Sequence, residues 1–428
     1  MSQSKLQKRQ YRDGWTRTKR IKLETTNVTT TKITEVNDDC LEHIFNKLEL
    51  VDLLNVADTC KHFRQSVDWV FERKYKSMKL YLTNINTKYT HELEIRVQSI
   101  WVFDILTALK LLRNFGHLLI TLDISGFICG WMLQKIFHYI NKYCVDTLTE
   151  IHFYCLQYFA MEVPLPKVET VTFSYCTLSG HIIEFNKWFP QLRNLEFRGD
   201  HFAENGDGKC IEKTLSNLDH LSLKFGPTAF QASNIGEALR LNPQIRRLQV
   251  ANNNLNISIS KYLQNINDLD VHWSTKGVDA ETPVIHLKNV QCFRITCYDL
   301  MPKILYTFDC LKKFTMESTP RDWNDVIDFV NQNQTLIEVT LKQFGRIPVV
   351  DANGKFKLAQ TLAKIKTVNF YIFSLSVDEA ITFTTANKAL KSIRFKLNSK
   401  SDYDDLKIKL SNEWTQSIGQ TGIVQLKR

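Results

Sequence analysis

The chain contains no run of eighteen or more apolar residues, so no helix spanning a bilayer is expected. Its first residues are basic and polar and lack the apolar stretch of a secretory leader. There is no Cys-x-x-Cys, and the ten cysteines are scattered without regular histidine spacing. That argues against a zinc ribbon or a disulfide frame and suits reduced thiols in a cytoplasmic or nuclear protein. Nucleophile-elbow, Walker and HExxH patterns are missing as well. Gly206-Asp207-Gly208-Lys209 lacks the earlier Gly and the following Ser/Thr of a phosphate loop, and reads as a solvent loop. These absences point to a protein without catalysis, cofactor or metal.

What is present is ordinary globular material: 428 residues, 43% hydrophobic and 23% charged, long enough for two or three units. The charge is uneven. Residues 1–32 hold nine Lys or Arg against Asp13 and Glu24, which accounts for +7 of the formal +10. With few large apolar residues and a Thr run, residues 1–34 are expected to be a disordered basic tail. Its Lys8-Arg9 and Lys19-Arg20-Ile21-Lys22 loosely fit a two-part nuclear import signal. A merely solvated tail and weak nucleic-acid attraction are the alternatives.

Residues 35–75 carry three short amphipathic stripes. Leu41, Ile44, Phe45 and Leu48 fall at i, i+3, i+4 and i+7, one face of a helix. Asn37 or Asp38 can cap it. Leu53, Leu54, Val56, Ala57 and Cys60 form a second stripe, and Phe63, Val67 and Val70 a third. A unit of about forty residues rarely buries enough apolar surface to stand alone, so it is expected either to pack on the rest of the chain as an ordinary helical subdomain or to take a partner. Residues 36–64 resemble an F-box: Asp39, Leu41, Ile44-Phe45, Leu48, Asp52-Leu53-Leu54, Cys60-Lys61 and Phe63-Arg64 follow its pattern in order. The family's leading Leu-Pro is replaced by Val36-Asn37. The resemblance implies docking onto the Skp adaptor of a cullin–RING ubiquitin ligase, with Val36, Leu41, Ile44, Phe45, Leu48, Leu53, Leu54 and Cys60 as the adaptor-binding residues, either facing the adaptor or forming the core of the motif.

From about residue 118 a second pattern repeats: apolar, two others, apolar, one other, apolar. It starts at Leu119, Leu148, Val168, Leu192, Leu218, Ile245, Ile266, Val290, Leu311, Leu336, Ile365 and Leu390, at intervals of 20 to 29 residues. A strand alternates faces, so the interleaved residues must be polar if the triplets point inward. They are: among the thirty-six, only Ala251 and Cys292 are apolar, with Tyr154 and Tyr371. Between strands lie helical stripes such as Leu133-Ile136-Phe137-Ile140 and Ile235-Ala238-Leu239. Strand–helix–strand order implies parallel pairing.

The array resembles leucine-rich repeats of the long type. Of the Asn/Cys residues that follow each strand in that family, only Cys176, Asn253 and Asn398 remain. The expected fold is therefore α/β: a three-helix F-box, a helical linker or cap over 76–117, and over 118–428 a solenoid with a parallel concave sheet and convex helices, ending in a cap. On the concave face Arg198, Lys224 and Arg247 are expected to form a positive cluster beside Asp268, Asp270 and Arg294. Such mixed polarity suits a protein target better than a nucleic-acid track. His152, His220 and His272 are expected to be unconnected surface histidines. The combination resembles the substrate receptors of Skp–cullin–F-box ligases; a scaffold that tethers a protein partner without promoting its degradation is the alternative.

Overall fold

The structure, a computed structural model, describes residues 36–75, 79–83, 99–102, 104–126, 130–156, 163–178, 184–199, 201–202, 211–223, 230–251, 255, 257–273, 284–301, 304–320, 323–342, 365–397, 399, 401–410, 413–419 and 423–428. The basic tail, Lys224, Gly206 to Lys209, Asn253, Asn398 and the Asn353-Gly354 turn lie outside the described residues. No helix among those described is long and apolar enough to cross a membrane.

Three helices come first: α1 (Asp38–Phe45), α2 (Leu50–Ala57) and α3 (Lys61–Tyr75). A single sixteen-stranded sheet then runs to the C-terminus, with helices on its outer side. All twelve strands expected from the triplets are present, from Thr121–Ser125 to Ser392–Leu397, each pairing parallel with the next. Their register is what the apolar pattern demands. Leu122, Ile151, Val171, Leu195, Leu221, Leu248, Leu269, Phe293, Phe314, Val339, Val368 and Ile393 stand side by side, none more than 2% exposed. A slip by one residue would turn every such row to the polar side. The next inward row adds an aromatic spine: Phe153 stacks on Phe173 at 5.2 Å and Phe173 on Phe197 at 5.5 Å, which adds to the burial energy. The architecture is a solenoid-like α/β stack of parallel strands.

The outer layer departs from expectation. Helices fill the longer repeats: α5 (Gly130–Tyr143) buries Leu133, Ile136, Phe137 and Ile140 as its spacing predicts, and Ala232–Leu241 buries Ile235, Ala238 and Leu239. Shorter repeats lack room for three turns plus two connections. There the chain uses a 3-10 segment, Ile257–Asn265, or a small outer pair of strands, Ile285–Leu287 with Tyr306–Phe308. The fading Asn/Cys ladder has a partial replacement at helix ends. Asn242 is fully buried: its amide donates to the carbonyls of Ala238 and Lys213, and its oxygen accepts from Leu215 N–H at 2.6 Å. Asn333 and Asn387 donate likewise to the carbonyls of Phe329 and Phe383, four residues back. At the one ladder position described, the Cys176 thiol donates to the Phe153 carbonyl at 3.4 Å.

The N-terminal end also differs. The segment 76–117, expected as a helical linker or cap, is helical only in its second half. Lys79–Thr83 and Ser99–Val102 are parallel strands that extend the sheet, the earlier one against Thr121–Ser125 and the later one outermost. Trp101 belongs to that edge strand, and the helix α4 (Ile105–Phe115) starts after it, capped by Asp104. At the far end Thr415–Ile418 and Ile423–Lys427 form an antiparallel hairpin on the last parallel strand.

Candidate functional site

The first candidate surface is the three-helix unit. Asn37 caps α1, its side chain accepting from Cys40 N–H at 2.9 Å, with Asp38 and Asp39 in the first turn where the helix dipole favours them. The helix ends at Phe45, so Leu48 sits in the following turn and not on a fourth helical rung. Leu41, Phe45, Leu53, Leu54, Phe63, Val67 and Val70 fill the space between the helices, and Phe45 meets Phe63 edge-on at 5.5 Å.

This unit does not stand alone. Phe71 of α3 stacks on Phe115 of α4 with centroids 4.0 Å apart and planes 13° from parallel. The Arg64 guanidinium donates to the carbonyls of Arg113 and Asn114, satisfying the orphan end of α4. Asp58, at the end of α2, receives Arg113 at 2.7 Å, Asn114 at 3.0 Å and Lys110 at 3.1 Å. Burial works against its charge, but these three donors outweigh that and hold its carboxyl below the usual range. Asp68 shows the opposite balance: burial raises its carboxyl although His117 approaches at 3.3 Å.

The second candidate surface is the polar face of the sheet, which has three rows. The middle row runs in register Asp123, His152, Thr172, Glu196, Ser222, Gln249, Asp270, Arg294. It is largely hydrogen-bonded from strand to strand: Ser222 donates to Gln249 at 2.7 Å, Gln249 to Asp270 at 3.1 Å, and Ser222 lies 3.3 Å from Glu196. His152 sits between Asp123 at 2.9 Å and Glu150 at 2.8 Å. Burial opposes its protonation, but hydrogen bonds and charge from both carboxylates outweigh that and push it up to about 9. The three singled-out histidines occupy three different rows, and no metal-binding group is found among the described residues.

The F-box domain family model matches residues 33–74. The chain carries an F-box domain. No curated protein matches the chain. The geometry divides the expected F-box residues between core and surface. Leu41, Phe45, Leu53 and Leu54 are at most 3% exposed, so they form the core that holds the F-box together. Val36, Leu48 and Cys60 are half-buried against the same core. Of the eight expected adaptor residues only Ile44, at 46%, is exposed. Spacing alone overlooked two further exposed apolar residues, Val51 and Trp69. The signal was available: Val51 lies off the buried stripe of α2, on the line of Asn55 and Asp58.

The sheet face needs correction. Arg247 opens its strand and Arg198 ends another, so register separates them by four residues, about 13 Å along the strands. The expected positive cluster therefore does not form from these two. Each has its own acid: Arg198 holds Glu196 at 2.8 Å, and Arg247 holds Asp219 at 2.9 Å. Asp270 is only 4% exposed, 3.7 Å from Arg294, and is part of the middle row. Asp268 and Arg294 do reach solvent. The middle row is polar as the alternation requires, yet Asp123, Thr172, Ser222, Asp270, Thr340 and Asn369 are buried. Neighbouring strands lie about 4.8 Å apart, and longer Glu, Arg, His and Gln side chains cover the short ones. Missed at the strand ends was Tyr175, an exposed tyrosine at φ 54° whose ring meets Tyr154 edge-on at 5.6 Å.

Proposed function

We propose that this chain is the substrate-recognition subunit of a Skp–cullin–F-box ubiquitin ligase. On this reading the F-box seats the Skp adaptor, and the twelve parallel strands are a leucine-rich-repeat array whose polar face takes a target protein. The observation that carries the reading is the division of the F-box surface. One side is fixed to α4 through Phe71, Arg64 and Asp58, while Ile44, Val51 and Trp69 remain exposed. Apolar side chains exposed on a matched docking domain are suited to anchoring a partner. The chain itself performs no chemistry on this reading. It raises the effective concentration of target lysines near a charged conjugating enzyme, in the cytoplasm or nucleus. For the target, Arg198, Arg247, Asp268, Arg294 and Tyr175 offer separate charged and aromatic contacts, a composition suited to protein recognition.

The test is a single substitution. Ile44→Asp places a charge at an exposed site, so co-purification with the Skp adaptor should be lost while the unfolding midpoint stays unchanged. Phe45→Asp is a poor test, because its side chain is 3% exposed and the buried charge would unfold the F-box. Undiminished co-purification of Ile44→Asp removes the docking role. Depleting the chain in cells then separates receptor from tether: a receptor's target accumulates, and a tethered partner's level does not change.

A further inference from the structure

Charge on the polar face changes character at its C-terminal end. In the three outward rows from Thr121 to Lys342, each described Lys or Arg has its own acid. Arg198, Arg247 and Arg294 hold Glu196, Asp219 and Asp270, while Lys313 holds Glu338 at 3.2 Å and Lys342 holds Glu317 at 2.8 Å. The strands that follow, Thr367–Leu375, Ser392–Leu397 and Ile423–Lys427, contain no Asp or Glu. Their cations are Arg394, Lys396 and Lys427, which face the polar side because Ile393, Phe395 and Leu426 between them are buried. Lys396 and Lys427 are exposed and Arg394 is half-buried. None of the three has a carboxylate at ion-pairing distance among the described residues, whereas Arg428, the next residue, holds Glu413.

The sheet fixes how these cations are spaced. Arg394 and Lys396 are two residues apart on one strand, about 6.8 Å. Lys427 pairs across the adjoining strand with Ser392, two residues from Arg394. Tyr371, 42% exposed, lies beside them: its hydroxyl is 3.5 Å from the Arg394 guanidinium, and Lys342 is 5.8 Å from its ring centre. At the strand starts Lys366 and Lys391 add two exposed cations, adjacent through the Lys391 N–H, which donates to the Lys366 carbonyl at 2.8 Å. Like charges side by side on a sheet repel, and no described acid offsets them here.

We propose that this patch docks an acidic segment of a partner protein, bound extended with its carboxylates or phosphates on Arg394, Lys396 and Lys427. The occupant follows from charge; the inference rests on the receptor reading above only in calling that partner the target. Alternate side chains of an extended peptide share one side and repeat at about 6.8 Å, the spacing of Arg394 and Lys396. The guanidinium fork of Arg394 accepts either carboxylate or phosphate. A nucleic acid needs a positive track that continues along its backbone. Here the track stops, because the strands toward the centre of the sheet carry Glu338 and Glu317. The Tyr371 ring gives an apolar residue of the partner a surface beside the cations.

The experiment uses the full chain and labelled probes read by fluorescence anisotropy: a peptide alternating Glu and Ser, the same peptide with Gln for Glu, and an oligothymidylate of equal charge. The Glu peptide should bind the parent, and the Gln peptide at least tenfold more weakly. Arg394→Gln with Lys396→Gln should weaken the Glu peptide at least tenfold, and Lys427→Gln several-fold. Lys187→Gln with Lys261→Gln removes the same charge from the outer side and should change affinity less than twofold, which separates a site from net attraction. The unfolding midpoint of the Arg394–Lys396 double variant should hold or rise, since a repulsion is removed. A phosphoserine peptide that binds more tightly than the Glu peptide supports the site and assigns phosphate as its charge; the reverse order supports it with carboxylate. Equal affinity of parent and double variant for the Glu peptide overturns the proposal. So does oligothymidylate binding that exceeds the peptide's and falls with the same substitutions. If the peptide binds at the patch but no protein accumulates on depletion of the chain, the docking site stands and the receptor reading falls. If a target accumulates while the acidic peptides do not bind, the receptor reading stands and this site falls.

Discussion

Phe115→Ala should release the F-box from the rest of the molecule. Phe115 is fully buried and Phe71 is 2% exposed, stacked at 4.0 Å across the seam between α3 and α4. Removing a buried phenylalanine ring costs about 3–5 kcal/mol, part of it the ring–ring term of roughly 0.5–1.5 kcal/mol. A small helical unit rarely has more than about 3–5 kcal/mol of its own, and the stack is an apolar link that joins it to α4. The variant should therefore lose F-box order at a urea concentration where the parallel strands remain folded. Pulsed proteolysis across a urea series resolves this, with cleavage mapped by mass spectrometry. Cuts within 38–75 should appear at clearly lower urea than cuts within 121–397. Phe115→Leu, closer in volume, should shift the first transition by less than half as much. A single transition in which both regions fail together would refute the idea of a separately melting unit. A loss below about 1 kcal/mol would show that the stack is not what secures the seam.

Three further outcomes follow from the sheet. His152 is pushed up to about 9 from an ordinary 6.5, so the fold favours its protonated form. The stability it adds is complete below pH 6.5 and is lost as pH rises through about 9; His152→Gln should flatten that part of a stability–pH profile, and an unchanged profile would contradict the Asp123–His152–Glu150 arrangement. Gly199 has φ +62°, and a Cβ there would lie 2.5 Å from the Tyr175 ring. Gly199→Ala should cost at least the roughly 1–2 kcal/mol of left-handed strain, and adding Tyr175→Ala should recover the excess in thermal unfolding; no recovery would mean the ring yields freely. Ser222 is fully buried between Gln249 and Glu196. Ser222→Ala should cost about 1–3 kcal/mol in urea unfolding, and a change under about 0.5 kcal/mol would mean those groups find other partners.

The strands were readable because a solenoid repeats one demand. Each triplet must face inward beside the next, and the polar residues between must alternate with it. The short-repeat outer segments were not readable, because Ile285–Leu287 and Tyr306–Phe308 carry too few residues for a period to show. The first two strands were missed because they add to the sheet out of chain order, which no local pattern encodes. For the F-box, apolar spacing identified the helices but not which side chains face out. Leu41, Ile44 and Phe45 belong to one stripe, yet only Ile44 sits at its edge. On the sheet, Arg198 and Arg247 looked like neighbours until register set them at opposite strand ends. Charge clusters depend on position along the strand as well as on strand order.

The most direct measurement is hydrogen exchange of the full chain with and without purified Skp adaptor. Slowed exchange should be confined to 38–75, with the central parallel strands unchanged. Protection confined to the polar sheet face, or no protection anywhere at saturating adaptor, would contradict an F-box that is fixed on one side and open on the other.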